Sequence, residues 1–142
     1  MKSLRIKILK IDTRAVLPKK AHISDAASDI YAIEDAMVPP GSTAILRTGF
    51  CLEIPTGVYG RIETRSSMAV KGLFTTGGII DSGYRDEIFV ILNNGSQEIC
   101  HIHQGQRIAQ IIFHEANNCD FVEVTRMDTR DDRKGGLGST GE

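Results

Sequence analysis

Arg107-Ile108-Ala109-Gln110-Ile111-Ile112-Phe113, entered through Gly105, is the stretch on which the reading of the fold turns. It is a short, nearly continuous apolar run behind a turn residue, which is strand behaviour. Runs of the same character, continuous or alternating, recur on both sides of it: Arg5 to Ile11, Thr43 to Arg47, Val58 to Ile62, Glu87 to Leu92, Glu98 to His103 and Phe121 to Met127. Turn signals lie between them at Pro39-Pro40-Gly41, Pro55-Thr56-Gly57, Gly77-Gly78 and Asn94-Gly95. That spacing predicts an all-β chain of the sandwich or jelly-roll kind. Ser24 to Asp35 has helical propensity, with Ala27, Ile30 and Tyr31 on one face and Ser24 as a cap. The one helix expected is shorter, Ser67 to Lys71, ended by Gly72.

A chain of 142 residues is long enough for one domain with a hydrophobic core and short for two. The expected division is a core over 1–127 and a tail over 128–142, charged and then glycine-rich, with little to bury. An apolar share of 41% beside 25% charged residues is that of a folded soluble domain and argues against disorder of the main body. A net charge of −1 lacks the footprint of a nucleic-acid binder, so any polyanionic ligand must be held locally. Met1 to Lys10 mixes charged and apolar residues, unlike a signal peptide, and no apolar run is long enough to cross a bilayer. The chain is expected to work where it is made, in the cytoplasm or in a host-cell interior, and not to be secreted. Cys51, Cys100 and Cys119 are odd in number and widely spaced, which points to buried, reduced thiols over a disulfide framework or a zinc site. Short strands leave edges unpaired, and association into a closed oligomer would cover them.

Several segments carry polar groups suited to chemistry. The tail Gly135-Gly136-Leu137-Gly138-Ser139-Thr140-Gly141 offers amides and hydroxyls to phosphate oxygens, although a mobile linker has the same composition, and it is no Walker loop. Arg65-Ser66-Ser67 opens the short helix, where free amides, hydroxyls and a forked guanidinium hold either an anion or an ordinary helix cap. Gly77 to Glu87 is a glycine-rich turn with carboxylates and Tyr84; it is either a solvated β-turn or a place where a carboxylate orients water beside an aromatic wall. His101 and His103 share a strand face, but with no third ligand nearby an exposed face outweighs a metal pair. No Gly-x-Ser-x-Gly elbow supports a Ser-His-Asp triad.

Five segments in one order closely resemble the trimeric dUTP pyrophosphatase (dUTPase) family. They are Ala26-Ala27-Ser28-Asp29-Ile30-Tyr31-Ala32, Gly60 to Ala69 with Arg65-Ser66-Ser67 inside it, Gly78-Ile79-Ile80-Asp81-Ser82-Gly83-Tyr84-Arg85, Gly105 to Gln110, and Gly135 to Gly141. The resemblance implies a jelly-roll (β-clip) homotrimer with active sites shared between subunits, in which the tail of one chain closes a site built by others. It implies hydrolysis of dUTP to dUMP and pyrophosphate. Asp81 would be the catalytic general base orienting water for attack on the α-phosphorus, and Asp29 would hold Mg²⁺ through coordinated water. Arg65, Ser66, Ser67 and Gln110 would grip phosphates, joined by Arg133, Gly138, Ser139 and Thr140 when the tail closes. Tyr84 would pack under the deoxyribose and exclude a 2′-hydroxyl, and hairpin backbone near Gly78 and Ile80 would read uracil.

The chain departs from the family pattern at four places. Leu137 stands where the family usually has a phenylalanine stacked on the base; Gly83 and Asp86 stand where Asp and Gly are common, and Thr64 where Pro often sits. Two rival readings share the scaffold: a dCTP deaminase-like enzyme, which the Gly-Gly-x-Gly-Ser-Thr-Gly tail disfavours, and a non-catalytic trimeric regulatory protein, which the intact Asp29, Arg65, Ser66, Asp81, Gln110 and Arg133 disfavour.

Overall fold

In the computed structural model, the structure describes residues 3–129, 135–137 and 141. Among these residues, eleven strands and one turn of helix form an antiparallel β architecture. The long strand β11 (Arg107–Glu115) is the centre of a four-stranded sheet, flanked by β2 (Ser28–Tyr31) and β6 (Val58–Glu63), with β8 (Ile79–Ile80) outside β6. A second sheet places β9 (Phe89–Asn94) between β4 (Thr43–Arg47) and β7 (Leu73–Thr76). Two ribbons complete the set: β1 (Lys7–Lys10) with β5 (Phe50–Glu53), and β3 (Ala36–Val38) with β10 (Cys100–Ile102). This is the all-β, jelly-roll class expected from the turn spacing.

Inward side chains from all of these strands meet in one core, in which Ile30, Val38, Phe50, Ile88, Val90, Leu92, Ile102 and Ile108 are closed to solvent. Strand β9 shows why the sequence folds this way: Val90, Leu92 and Asn94 point inward, one every second residue. Asn94 is a polar residue in that row and is fully satisfied. Its Nδ2 donates to the carbonyls of Val38 and Glu98, both at 2.8 Å, and its Oδ1 accepts from the Ser96 amide and hydroxyl at 2.9 and 2.7 Å. A buried polar group costs little when all its partners are present, and here it ties the end of β9 to β3.

Two expectations change, and the helical propensity of Ser24 to Asp35 is not realised. Ser24 to Asp35 contains no helix; Ile30 enters the core while Asp29 and Tyr31 stay at the outer face, and β11 supplies the pairing that overrides helical propensity. Phe121 to Met127 forms no strand, and Phe121, Val122, Val124 and Met127 are all exposed. Cys119 lies in the same exposed stretch and is not buried, whereas Cys51 and Cys100 are half-buried; all three are free thiols. Burial pushes the Cys51 and Cys100 thiols above their ordinary range, which keeps them protonated. The expected helix exists as one turn, α1 (Ser66–Ala69), followed by Gly72 at φ +79°. Strands β3, β5, β7 and β8 were not foreseen, being only two to four residues long.

Candidate active site

Three neighbouring strands set one polar residue each in a row. Asp29 on β2 lies opposite Gln110 on β11, and Gln110 lies opposite Glu63 on β6. Residues directly across an antiparallel pair share a face, so these side chains leave the sheet together. The backbone of Asp29 is clamped from its other side by Lys19, whose carbonyl accepts the Asp29 amide at 2.6 Å and whose amide donates back at 3.3 Å. Just past β6 the chain turns into α1, anchored by the buried Met68, and this brings Arg65 back over the row. Arg65 Nε donates to Asp29 Oδ1 at 3.0 Å and its Nη1 to Ser67 Oγ at 3.2 Å. Gln110 Nε2 donates to the Thr64 carbonyl at 3.1 Å. Thr64 in turn accepts the Thr75 amide through its hydroxyl at 3.0 Å, so the residue standing where the family often has proline has a bond of its own to β7.

Arg107 Nη1 approaches the other Asp29 oxygen at 3.6 Å. Arg107 is not among the site residues named from the sequence; its one mark there is the pair Ile108-Ala109 beside it, which breaks the two-residue period of β11. Arg65, Ser67, Lys71, His101 and Arg107 line one open cleft of ≈ 710 Å³. Two guanidiniums and an ammonium outnumber the nearby Asp29 and Glu98, so the cleft is suited to a polyanion. Ser66 and Ser67 are exposed at its edge.

The glycine-rich hairpin lies elsewhere on the same sheet. Gly78 accepts the Ile62 amide at 2.8 Å, and a Cβ there would stand 2.4 Å from the Ile62 carbonyl oxygen, so only glycine fits. Ile80 turns into the core and pairs with Gly60. Asp81 follows, exposed, its carboxylate unengaged among the described residues, while its carbonyl accepts the Tyr84 amide at 3.1 Å to close a tight turn. Tyr84 is half-buried and its hydroxyl donates to the Glu87 carbonyl at 2.8 Å, which fixes the ring; desolvation raises its pKa and keeps it a phenol. Arg47 holds the Glu87 carboxylate from below with bonds of 2.8 and 3.0 Å.

The two halves lie at different levels of β6. Extending the β6–β8 register sets Asp81 level with Tyr59, whereas Arg65 follows Glu63 at the far end of β6. Four residues of strand separate those levels by about 13 Å. Leu137 is fully exposed, and Arg133, Gly138, Ser139 and Thr140 lie outside the described residues. Among the described residues no three His, Cys, Asp or Glu side chains converge, so these residues offer no cage for a bare dication. A hydrated Mg²⁺ that takes its inner ligands from phosphate and water asks less of the protein, and the single carboxylate of Asp29 at the cleft fits that need.

A family model described as dUTPase matches residues 13–141. The deoxyuridine 5′-triphosphate nucleotidohydrolase of Clostridioides difficile is 37% identical over 139 residues, covering 96% of this chain and 97% of that protein. The enzyme of the same name from Mycobacterium leprae (strain Br4923) is 36% identical over 150 residues, covering 98% and 96%. Among solved structures, a mutant dUTPase of Staphylococcus bacteriophage 80alpha with dUpNHpp aligns with a TM-score of 0.88 at 22% identity, covering 96% of this chain and 98% of that one. A mutant dUTPase from phage phi11 of S. aureus, described with a structural Mg(II) ion, aligns at 0.81 and 20% identity over 88% and 99%. These likenesses carry the fold, and the sequence relatives carry the lineage. With a family model matching almost its whole length and relatives above one-third identity from end to end, the chain belongs to the dUTPase family.

Proposed function

We propose that this chain is a dUTP diphosphatase, hydrolysing dUTP to dUMP and pyrophosphate inside the cell and so limiting uracil in DNA while supplying dUMP for thymidylate synthesis. The observation that carries the reading is its end-to-end similarity to deoxyuridine 5′-triphosphate nucleotidohydrolases, with none of their length left uncovered beyond a few residues.

The residues divide the work by position. Arg65, Ser66, Ser67 and Gln110 hold phosphate oxygens at the cleft, and their fixed donors neutralise charge without reorganising. Asp81 orients a water against the α-phosphorus and accepts its proton as the bond to the pyrophosphate leaving group breaks. Tyr84, pinned through its hydroxyl to the Glu87 carbonyl, offers a ring face beneath the deoxyribose where a 2′-hydroxyl has no room. Backbone near Gly78 and Ile80 reads uracil. Asp29 would hold Mg²⁺ through coordinated water, and the ion would supply neutralisation of the triphosphate charge.

The assembly is a homotrimer whose sites take the cleft from one subunit, the hairpin from a second and Arg133, Leu137, Gly138, Ser139 and Thr140 from a tail. The separation of Asp81 from Arg65 along β6 is compatible with this, since it leaves the hairpin and the cleft of one chain free to serve different sites. Incubation with dUTP, UTP, dTTP and dCTP side by side tests the reading. Pyrophosphate from dUTP far above the other three is expected; ammonia from dCTP, or equal hydrolysis of all four, would sink it.

A further inference from the structure

Among the described residues, Glu87 is the one charged side chain closed to solvent. A carboxylate withdrawn from water is costly without its partner, and the buried pair adds little over apolar side chains of the same size. Stability therefore gives a weak reason for a carboxylate here, and position gives a stronger one. Arg47, the last residue of β4, grips it with two nitrogens, Nε donating to Oε2 at 3.0 Å and Nη2 to Oε1 at 2.8 Å. A forked pair of bonds fixes orientation as well as distance. The third nitrogen, Nη1, lies 3.6 Å from Asp12 Oδ2, and Arg14 holds Asp12 in turn through bonds of 2.9 and 3.0 Å.

The peptide that joins Glu87 to Ile88 is held from both sides. Its N–H donates to the Phe50 carbonyl on β5 at 2.9 Å, and its carbonyl accepts the Tyr84 hydroxyl at 2.8 Å. The following carbonyl, that of Ile88, accepts the buried Thr48 hydroxyl at 2.5 Å. Two adjacent residues, Arg47 and Thr48, thus clamp two adjacent residues, Glu87 and Ile88, and the peptide between the clamps aims the Tyr84 ring. At its other end Tyr84 is tied through its amide to the Asp81 carbonyl at 3.1 Å. Of these anchors only the Arg47–Glu87 pair depends on two charged side chains from separate parts of the chain.

We infer that Arg47 is a positioning residue for sugar selection: through Glu87 it sets the peptide to which Tyr84 is pinned, and so the height of the ring face that leaves a 2′-hydroxyl no room. This rests on the reading of Tyr84 as the wall beneath a deoxyribose. Values of kcat/KM for dUTP, UTP and dCTP in the parent, Arg47→Gln, Arg47→Lys and the double variant Arg47→Met with Glu87→Met test it. Loss of folded enzyme lowers all three values together, so their ratios report position and not stability. Arg47→Gln is expected to lower the dUTP-to-UTP ratio about tenfold, the scale of a loosened steric pocket, and to keep the dUTP-to-dCTP ratio within about twofold. Arg47→Lys keeps the charge and loses the fork, and should fall between the parent and Arg47→Gln. The double variant removes both charges at once; it is expected to fold and to keep the lowered ratio, and it carries the test if Arg47→Gln does not fold. An unchanged dUTP-to-UTP ratio, a fall of both ratios together, or a double variant with the parent's ratio would overturn the inference. A parent that does not distinguish dUTP from UTP would overturn the reading of Tyr84 instead.

Discussion

The row Asp29-Gln110-Glu63 and the hairpin carrying Asp81 lie on one sheet, yet they differ in how completely one chain finishes them. The row is tied on every side: Lys19 grips the Asp29 backbone, two arginines meet its carboxylate, and Gln110 is bonded to the turn before α1. Around Asp81, the backbone turn and the Tyr84 ring are fixed while the carboxylate itself touches nothing among the described residues. The difference teaches that the polar groups of the row are preorganised within the protomer, whereas the Asp81 carboxylate is left without a partner among the described residues. Binding sites made from ladder positions inherit the rigidity of the sheet; a base at a turn stays adjustable.

Replacing the base offers the largest effect and the sharpest way to break this comparison. Asp81→Asn should lower kcat by about 10³-fold with KM nearly unchanged, since the carboxylate acts on the attacking water and not on the bound nucleotide. Single-turnover and steady-state kinetics would show it, and a KM that rose in step with the loss of kcat would place Asp81 in the holding half. Among the described residues of the tail, Leu137 is fully exposed. Leu137→Phe should raise kcat/KM about fivefold or more by giving the base an aromatic face to stack on. A variant no better than its parent would show that closure does not depend on that stacking.

The smallest effect separates the two regions by pH. Asp12 is bonded by Arg14 through side chain and backbone and lies 3.6 Å from Arg47, which braces Glu87 beneath Tyr84. The Arg14 bonds hold the Asp12 carboxyl well below its ordinary value of 3.8. A carboxyl with a depressed folded-state pKa stabilises the fold above its unfolded pKa, and that contribution is lost as pH falls through the folded one. Thermal melts of the parent should therefore weaken below about pH 4, and Asp12→Asn should melt with a shallower acid limb while losing a little stability at neutral pH. Parallel limbs for the two proteins would show that Asp12 gives the hairpin no support.

Much of this was legible from the chain before folding. The strands Thr43–Arg47 and Val58–Glu63 stand where alternation and turn residues put them, because a half-buried strand writes its own period into the sequence. The residue types for the site were also visible, since Arg65-Ser66-Ser67 and the Gly78-to-Arg85 hairpin carry their polar groups in local clusters. Pairing was not legible for Phe121 to Met127: alternation marks a segment fit for a strand, but only tertiary contacts decide whether a partner strand takes it up, and among the described residues none does. Arg107 was missed because a bulge is a property of two strands in register and leaves only two adjacent apolar residues as its mark.

By itself, then, the sequence determined the class of fold, the turns that permit it, the family to which the chain belongs and the chemical kinds of residue on offer. Tertiary structure alone decided that Asp29 aims both Arg65 and Arg107, that Gln110 is tied to the Thr64 carbonyl, and that Asp81 stands about four strand positions from the groups it would serve. The physical reason is that propensity and periodicity act over a few residues, while register, bulges and shared faces come into being only when distant strands meet.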